Sequence, residues 1–327
     1  MSLSPADLVM ADDVRRAERR AIAKAITLLE STRGDDRARA DSLLNNLLPS
    51  TGRALRLGIS GVPGVGKSTF IEALGLQLIQ RGHRVAVLAI DPSSSLSGGS
   101  ILGDKTRMER LSAQEGAFIR PSPASGALGG VAERTREAML VCEAAGFDVV
   151  LVETVGVGQS EVTVAGMTDL FVLLQLPNAG DDLQAIKRGV MELADLVVVN
   201  KADLDADAAV RARATISSAL RAFALRGRDE DMPPVLQLSA LTGEGVALFW
   251  AEVERIAGAR RASGAFEERR RRQALAWMWD KVHAGLLADF HSHPAVRAAL
   301  PGTIRDVNEA RLAPSAAARA LLELFEH

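Results

Sequence analysis

The stretch Gly61-Val62-Pro63-Gly64-Val65-Gly66-Lys67-Ser68-Thr69 brings three glycines, one lysine and two hydroxyls together in nine residues. In the pattern GxxxxGK[ST], which runs here from Gly61 to Ser68, glycines let the backbone curl so that successive N–H groups point inward at phosphate oxygens. Lys67 supplies a charge that reaches the β and γ phosphates, and Ser68 offers a hydroxyl to Mg²⁺. The helix opening at Lys67 adds the partial positive charge of its N-terminus. The predicted chemistry is therefore that of a nucleoside triphosphate held with Mg²⁺.

A second motif chooses the base. Asn200-Lys201-Ala202-Asp203 closes an apolar run. A carboxylate at Asp203 can accept from both N1–H and the 2-amino group of guanine, whereas adenine offers neither. An unpaired carboxylate against adenine is costly, so the motif predicts GTP and GDP over ATP. Ser239, Ala240 and Leu241 follow the next apolar run and are placed to offer a backbone N–H to the guanine O6.

Carboxylates complete the set. Glu153-Thr154-Val155-Gly156 ends the run DVVLVE, where an acid can accept from a water on Mg²⁺ and a glycine N–H can sense the γ phosphate. The next residue, Val157, stands where a glutamine would orient water, which predicts slow unaided hydrolysis. Asp91 ends the run RVAVLAI as a second acid, and the polar stretch PSSSLSGGSILGDKTRM after it carries Asp104, Lys105 and Thr106 within reach. The catalytic candidates are Lys67, Asp91 and Glu153.

These groups need a scaffold that brings strand ends to one edge. Short apolar runs, RLGIS (56–60), RVAVLAI (84–90), GAFIR (116–120), DVVLVE (148–153), DLFVLLQL (169–176), DLVVVN (195–200) and VLQLS (235–239), alternate with amphipathic helical stretches. Continuous apolar strands between helices predict an α/β, doubly wound, mostly parallel sheet, with ligands at the carboxyl ends of its strands. Before it, Ser4-Pro5-Ala6-Asp7 marks a helix start. Val14, Ala17, Ala21, Ile22, Ala25, Leu28 and Leu29 then keep helical spacing, and a further helix is expected over about 36–48. After Ala259 only helical patterns remain, with Leu275, Met278, Trp279, Val282, Leu286, Leu287 and Phe290 on one stripe, which must pack on the main domain or on a second copy. The expected division is a helical arm (1–52), a nucleotide domain (53–258) and a C-terminal helical extension (259–327).

Composition narrows the class. Among 327 residues, 39 basic and 41 acidic side chains leave a net charge of −2, which gives no general attraction to nucleic acid. Cys142 is the lone cysteine, so no intrachain disulfide and no cysteine cluster for a metal is available. The N-terminus lacks a signal-like apolar stretch, and no apolar run reaches the roughly 18 residues of a membrane span. A soluble, cytoplasmic protein without membrane or nucleic-acid partners is expected. The four arginines Arg269 to Arg272 read as a solvated helix face, and His291 and His293 beside Pro294 as a helix end.

The stretches GVPGVGKST, AIDPSSSLSGGSILGDKTRM, VETVGVGQSE, QLPNAGDDLQAIKRG and NKAD together resemble the MeaB, ArgK and methylmalonic-aciduria type A family of P-loop GTPases over nearly the whole chain. The resemblance implies a SIMIBI-type GTPase domain with helical extensions and a homodimer built through the C-terminal part. It also implies a GTP-driven chaperone that assists cofactor loading and protection of an adenosylcobalamin-dependent methylmalonyl-CoA mutase. Carried onto matching positions, it puts phosphate binding on Gly64, Gly66, Lys67, Ser68 and Thr69, and Mg²⁺ around Ser68, Asp91, Asp104 and Glu153. It puts guanine on Asn200, Lys201, Asp203 and the backbone of Ser239, Ala240 and Leu241. Two other classes compete: an ATP-dependent kinase serving amino-acid transport, and a nickel or zinc metallochaperone GTPase. Asp203 speaks against the first and the lone Cys142 against the second. Pro177, Asn178 and Gly180 mark a polar loop whose Asp181, Asp182, Lys187 and Arg188 are expected to relay nucleotide state to a partner.

Overall fold

The computed structural model describes residues 3–31, 33–90, 108–122, 128–154, 160–177, 188–224 and 232–326. Among them, seven strands form one sheet: β1 (Leu55–Gly61), β2 (Val85–Ile90), β3 (Ala117–Ser122), β4 (Val149–Thr154), β5 (Leu170–Gln175), β6 (Leu196–Val199) and β7 (Val235–Gln237). The spatial order is β3-β2-β4-β1-β5-β6-β7, and every pair is parallel. Strand β1 sits between β4 and β5, so the chain must cross over it after β4, and ligands of such sheets bind near that reversal.

Side-chain alternation assigns each strand residue to one of two cores. Ala86, Leu88, Ile90, Val150, Val152, Phe171 and Leu173 face one layer, while Val85, Val87, Leu57, Ile59, Leu151, Val172 and Leu174 face the other. The second layer contains α4 (Lys67–Gln80), the short α5 (Glu109–Ser112) and α10 (Val246–Ser263), which bury Phe70, Leu74, Leu111, Phe249 and Trp250. The first layer contains α6 (Leu128–Ala144), α7 (Ser160–Ala165), α8 (Arg188–Leu193) and α9 (Ala206–Ala224). The amino-terminal helices α1 (Pro5–Arg15), α2 (Arg19–Leu29) and α3 (Gly34–Leu47) join that layer by packing on α6.

Ser4 caps α1 by accepting from the Asp7 N–H at 3.2 Å, as its sequence suggests. The expected continuous helical spacing from there to Leu29 is broken, however. Ala17 adopts a left-handed φ of 63° and its N–H closes on the Val14 carbonyl, ending α1. No glycine or proline marks this turn, and the buried positions Val14, Ala21, Ile22 and Ala25 keep their phase across it. Periodicity alone therefore missed the break.

At the amino edge of the sheet, three aspartates sit one residue before a strand and hold a neighbouring strand's backbone. Asp148 accepts from Arg84 N–H at 2.7 Å, Asp169 from Arg56 N–H at 2.8 Å and Asp195 from Phe171 N–H at 2.7 Å. Arginines close the charges: Arg56 pairs with the buried Glu143 at 2.5 Å, and Arg260 and Arg269 both pair with Asp195. Arg269 also donates to the Thr168 and Ala165 carbonyls. It is not the solvated residue its arginine run suggests, because it supplies the charge that Asp195 needs.

The chain divides into two compact units, Met1–Arg269 and Arg270–His327. The helix α11 (Ala265–Ser292) is followed by α12 (Pro294–Asn308) and α13 (Pro314–Glu326), with His293 at the N-cap of α12. On α11, Leu275, Met278, Trp279, Leu286 and Leu287 stand roughly half exposed. Among the described residues no helix is long and apolar enough to cross a membrane.

Candidate functional site

The glycine-rich loop links β1 to α4 on the carboxyl edge of the sheet. Gly61, Gly64 and Gly66 have φ of 153°, 80° and 93°, which side chains strain to adopt. A Cβ on Gly66 would lie 2.8 Å from Asn200 Nδ2, and one on Gly61 would lie 2.6 Å from the Leu174 carbonyl. Val62, Pro63 and Val65 complete the loop, with Val65 buried and Pro63 exposed. Thr69 follows on the first turn of α4 and is exposed.

Lys67 is buried, and its ammonium donates to the Gly61 and Val62 carbonyls at 2.8 and 3.2 Å. Burial pulls its pKa below the ordinary lysine value, against the opposing fields of the Glu153 and Glu161 carboxylates. Ser68 donates to Glu153 Oε1 at 3.0 Å, so β4 delivers its acid to the start of α4. A hydroxyl and a carboxylate oxygen that meet in this way suit Mg²⁺, which takes few protein ligands beside phosphate oxygens and waters. No group of three histidine, cysteine, aspartate or glutamate side chains that could hold a metal occurs among the described residues. Asp91 and Asp104 lie outside the described residues, as do Val157 and most of the 177–188 loop.

The residues expected to read the base assemble beside the loop. Asn200 is buried; its amide donates to the Val65 carbonyl at 2.8 Å and its oxygen accepts from Ala240 N–H at 3.0 Å. It thus braces the phosphate loop and the Ser239–Leu241 turn together, a bracing role not apparent from the motif. Lys201 has a left-handed φ of 62° and Asp203 is exposed beyond it. Ser239 is buried and its hydroxyl accepts from Thr242 N–H, while Leu241 is 78% exposed.

Sequence reading also missed a polar group on the opposite face of the same strand ends. Thr154 donates to Ser60 Oγ at 2.9 Å, with both residues buried. Nearby elements carry Glu161 on α7 and Gln175 at the end of β5, each buried with a side-chain oxygen that has no hydrogen-bond partner among the described residues. Only an inward-facing polar residue within an apolar run, such as Ser60 in LGISG, could have signalled them.

Residues 22–295 match the family described as methylmalonyl Co-A mutase-associated GTPase MeaB. A relative from Caulobacter vibrioides, named at the level of a GTPase, is 54% identical over 308 residues, covering 94% of each chain. The mitochondrial methylmalonic aciduria type A homolog of Mus musculus is 46% identical over 323 residues, covering 95% of this chain and 77% of its own. A crystal structure of a protein named LAO/AO transport system kinase superposes with a TM-score of 0.78 at 38% identity, covering all of both chains.

Proposed function

Since the chain belongs to the MeaB family of GTPases, we propose that its GTP cycle serves an adenosylcobalamin-dependent methylmalonyl-CoA mutase, assisting loading and protection of the mutase cofactor. The observation that carries this reading is the match over residues 22–295 to a family described as mutase-associated.

In this reading the loop amides from Gly61 to Thr69 cradle the phosphates, and Lys67 turns from its loop carbonyls to the β and γ oxygens. Ser68 and Glu153, already 3.0 Å apart, hold Mg²⁺ with Asp91 and Asp104. When bound, Mg²⁺ neutralises charge that develops on the transferring phosphate. Asp203 pairs with the guanine N1–H and amine, and the Ser239–Leu241 backbone meets O6. Residues 53–258 carry this chemistry, residues 1–52 form a helical arm against α6, and 259–327 pair two copies. The pairing rests on the exposed apolar stripe from Leu275 to Leu287. The setting is cytoplasmic.

The deciding experiment titrates the protein against the mutase with GDP, with a non-hydrolysable GTP analogue and without nucleotide. Different affinities in the three states are expected; identical affinities would remove the coupling. An amino-acid transport kinase reading is favoured by the name of the superposing LAO/AO transport system kinase. Competition between ATP and GTP tests it, since Asp203 favours guanine. The metallochaperone reading meets an obstacle at Cys142, whose thiol burial pushes up to about 12.

A further inference from the structure

Glu153 and Thr154 are consecutive in β4, so their side chains leave on opposite faces of the sheet. Glu153 reaches forward to Ser68, the second residue of α4, at 3.0 Å. Thr154 reaches back to Ser60, the residue before the loop glycine Gly61, at 2.9 Å. The end of β4 therefore grips the phosphate loop on both flanks, at the strand that enters it and at the helix that leaves it. The paired residues of β1 and β4 end at Ile59 and Glu153. Past that pair the Ser60–Thr154 hydroxyl bond joins the two strands.

Ser60 is 1% and Thr154 0% exposed, so water is poorly placed to replace either partner. We propose that the Ser60–Thr154 pair is a positioning element for Mg²⁺, fixing the end of β4 so that Glu153 stays on Ser68. This rests on the reading that Ser68 and Glu153 belong to the metal environment. Thr154 itself touches neither nucleotide nor metal in this role; it acts through the residue before it. Groups that support a metal-binding carboxylate in this way change metal affinity by about 10- to 100-fold when removed.

The test uses the full-length protein and a fluorescent GDP analogue, without turnover. The quantity measured is the Mg²⁺ concentration that half-restores analogue binding, beside the analogue affinity in EDTA. Thr154→Val and Ser60→Ala are each expected to raise the half-restoring Mg²⁺ about tenfold, with affinity in EDTA within about twofold. Thr154→Ser keeps the hydroxyl and should restore the wild-type value. The double variant should be no worse than the worse single one, because both remove the same bond. Glu153→Gln separates the two ideas. If it shifts the Mg²⁺ requirement while folded Thr154→Val and Ser60→Ala do not, the positioning role is wrong and the metal reading stands. If Glu153→Gln also leaves the requirement unchanged, both fail. An equal loss of affinity in EDTA would mark the pair as general support of the loop and overturn the proposal. Should Thr154→Val not fold, Ser60→Ala and Thr154→Ser give the same decision.

Discussion

The two edges of one parallel sheet solve opposite problems. At the amino edge Asp148, Asp169 and Asp195 take up backbone N–H groups of neighbouring strands, and Arg56, Arg260 and Arg269 take part in the ion pairs there. At the carboxyl edge Lys67 is bound to loop carbonyls, while Glu161 and Gln175 keep buried oxygens without a partner among the described residues. A buried polar group left unmatched costs about 1–3 kcal/mol, a cost that a ligand or a water meeting Glu161 and Gln175 would remove. Closure at one edge stabilises the sheet, and the other edge carries the proposed nucleotide site.

The contrast can be broken most strongly at Lys67. Lys67→Ala is expected to lower GTP turnover by about 10²- to 10³-fold, as loss of one aimed cationic donor does. Its melting temperature should stay within a few degrees of the parent. A melting loss as large as that of an amino-edge variant would erase the division of labour.

Asp195→Ala tests the other edge. It removes the carboxylate partner of Arg260 and Arg269 and the acceptor of the Phe171 N–H, and should cost about 3 kcal/mol in urea unfolding. Fluorescent GDP affinity of the folded fraction should stay within about threefold. A variant that unfolds normally but binds poorly would move Asp195 from the structural edge to the nucleotide edge.

Asp203→Asn sharpens the comparison within the carboxyl edge. The amide can donate to the 2-oxo group of xanthine, so GTP affinity should fall about tenfold or more while XTP affinity rises. Paired titrations of the two nucleotides check it, and an unchanged preference would remove Asp203 from the base site.

The smallest effect concerns Asp7, far from both edges. Its hydrogen bond with Arg39 holds the carboxyl below the ordinary aspartate value, with a further bond from Ser4. A depressed carboxylate contributes stability in full above its unfolded value near 3.9, and that contribution is lost as pH falls through the lower folded value. Urea midpoints of the parent should therefore drop more steeply below about pH 4 than those of Asp7→Asn. Parallel curves would show that the ion pair contributes nothing.

The strands were legible because each is an almost unbroken apolar run bounded by helices, and all seven runs became strands within a few residues. The structure brings the GKS and NKAD motifs together at one edge, through Asn200 on the Val65 carbonyl, as their order after two apolar runs suggests. What could not be read depends on contacts remote in the chain. Asn200 reaches Val65, and Arg269 reaches Asp195, across separations that leave no periodic trace. Ala17 shows the local limit: a left-handed residue without glycine ended α1, and nothing in its type announced it. The Asp–apolar junctions DVV, DLF and DLV repeat before β4, β5 and β6, and in retrospect they carried the amino-edge clamps in plain sight.

The packing of α2 on α6 has a consequence for synthesis on the ribosome. Helix α2 leaves well before α6, yet the surface that receives Ile22, Ile26 and Leu29 includes α6, which begins at Leu128, about 100 residues later. At about 5–20 residues per second, α2 waits roughly 5–20 seconds covered by its neighbours α1 and α3 alone. Helix α2 thus completes its packing only once α6 has emerged. A nascent chain halted before Leu128 should leave α2 more open to protease than one halted well past Ala144.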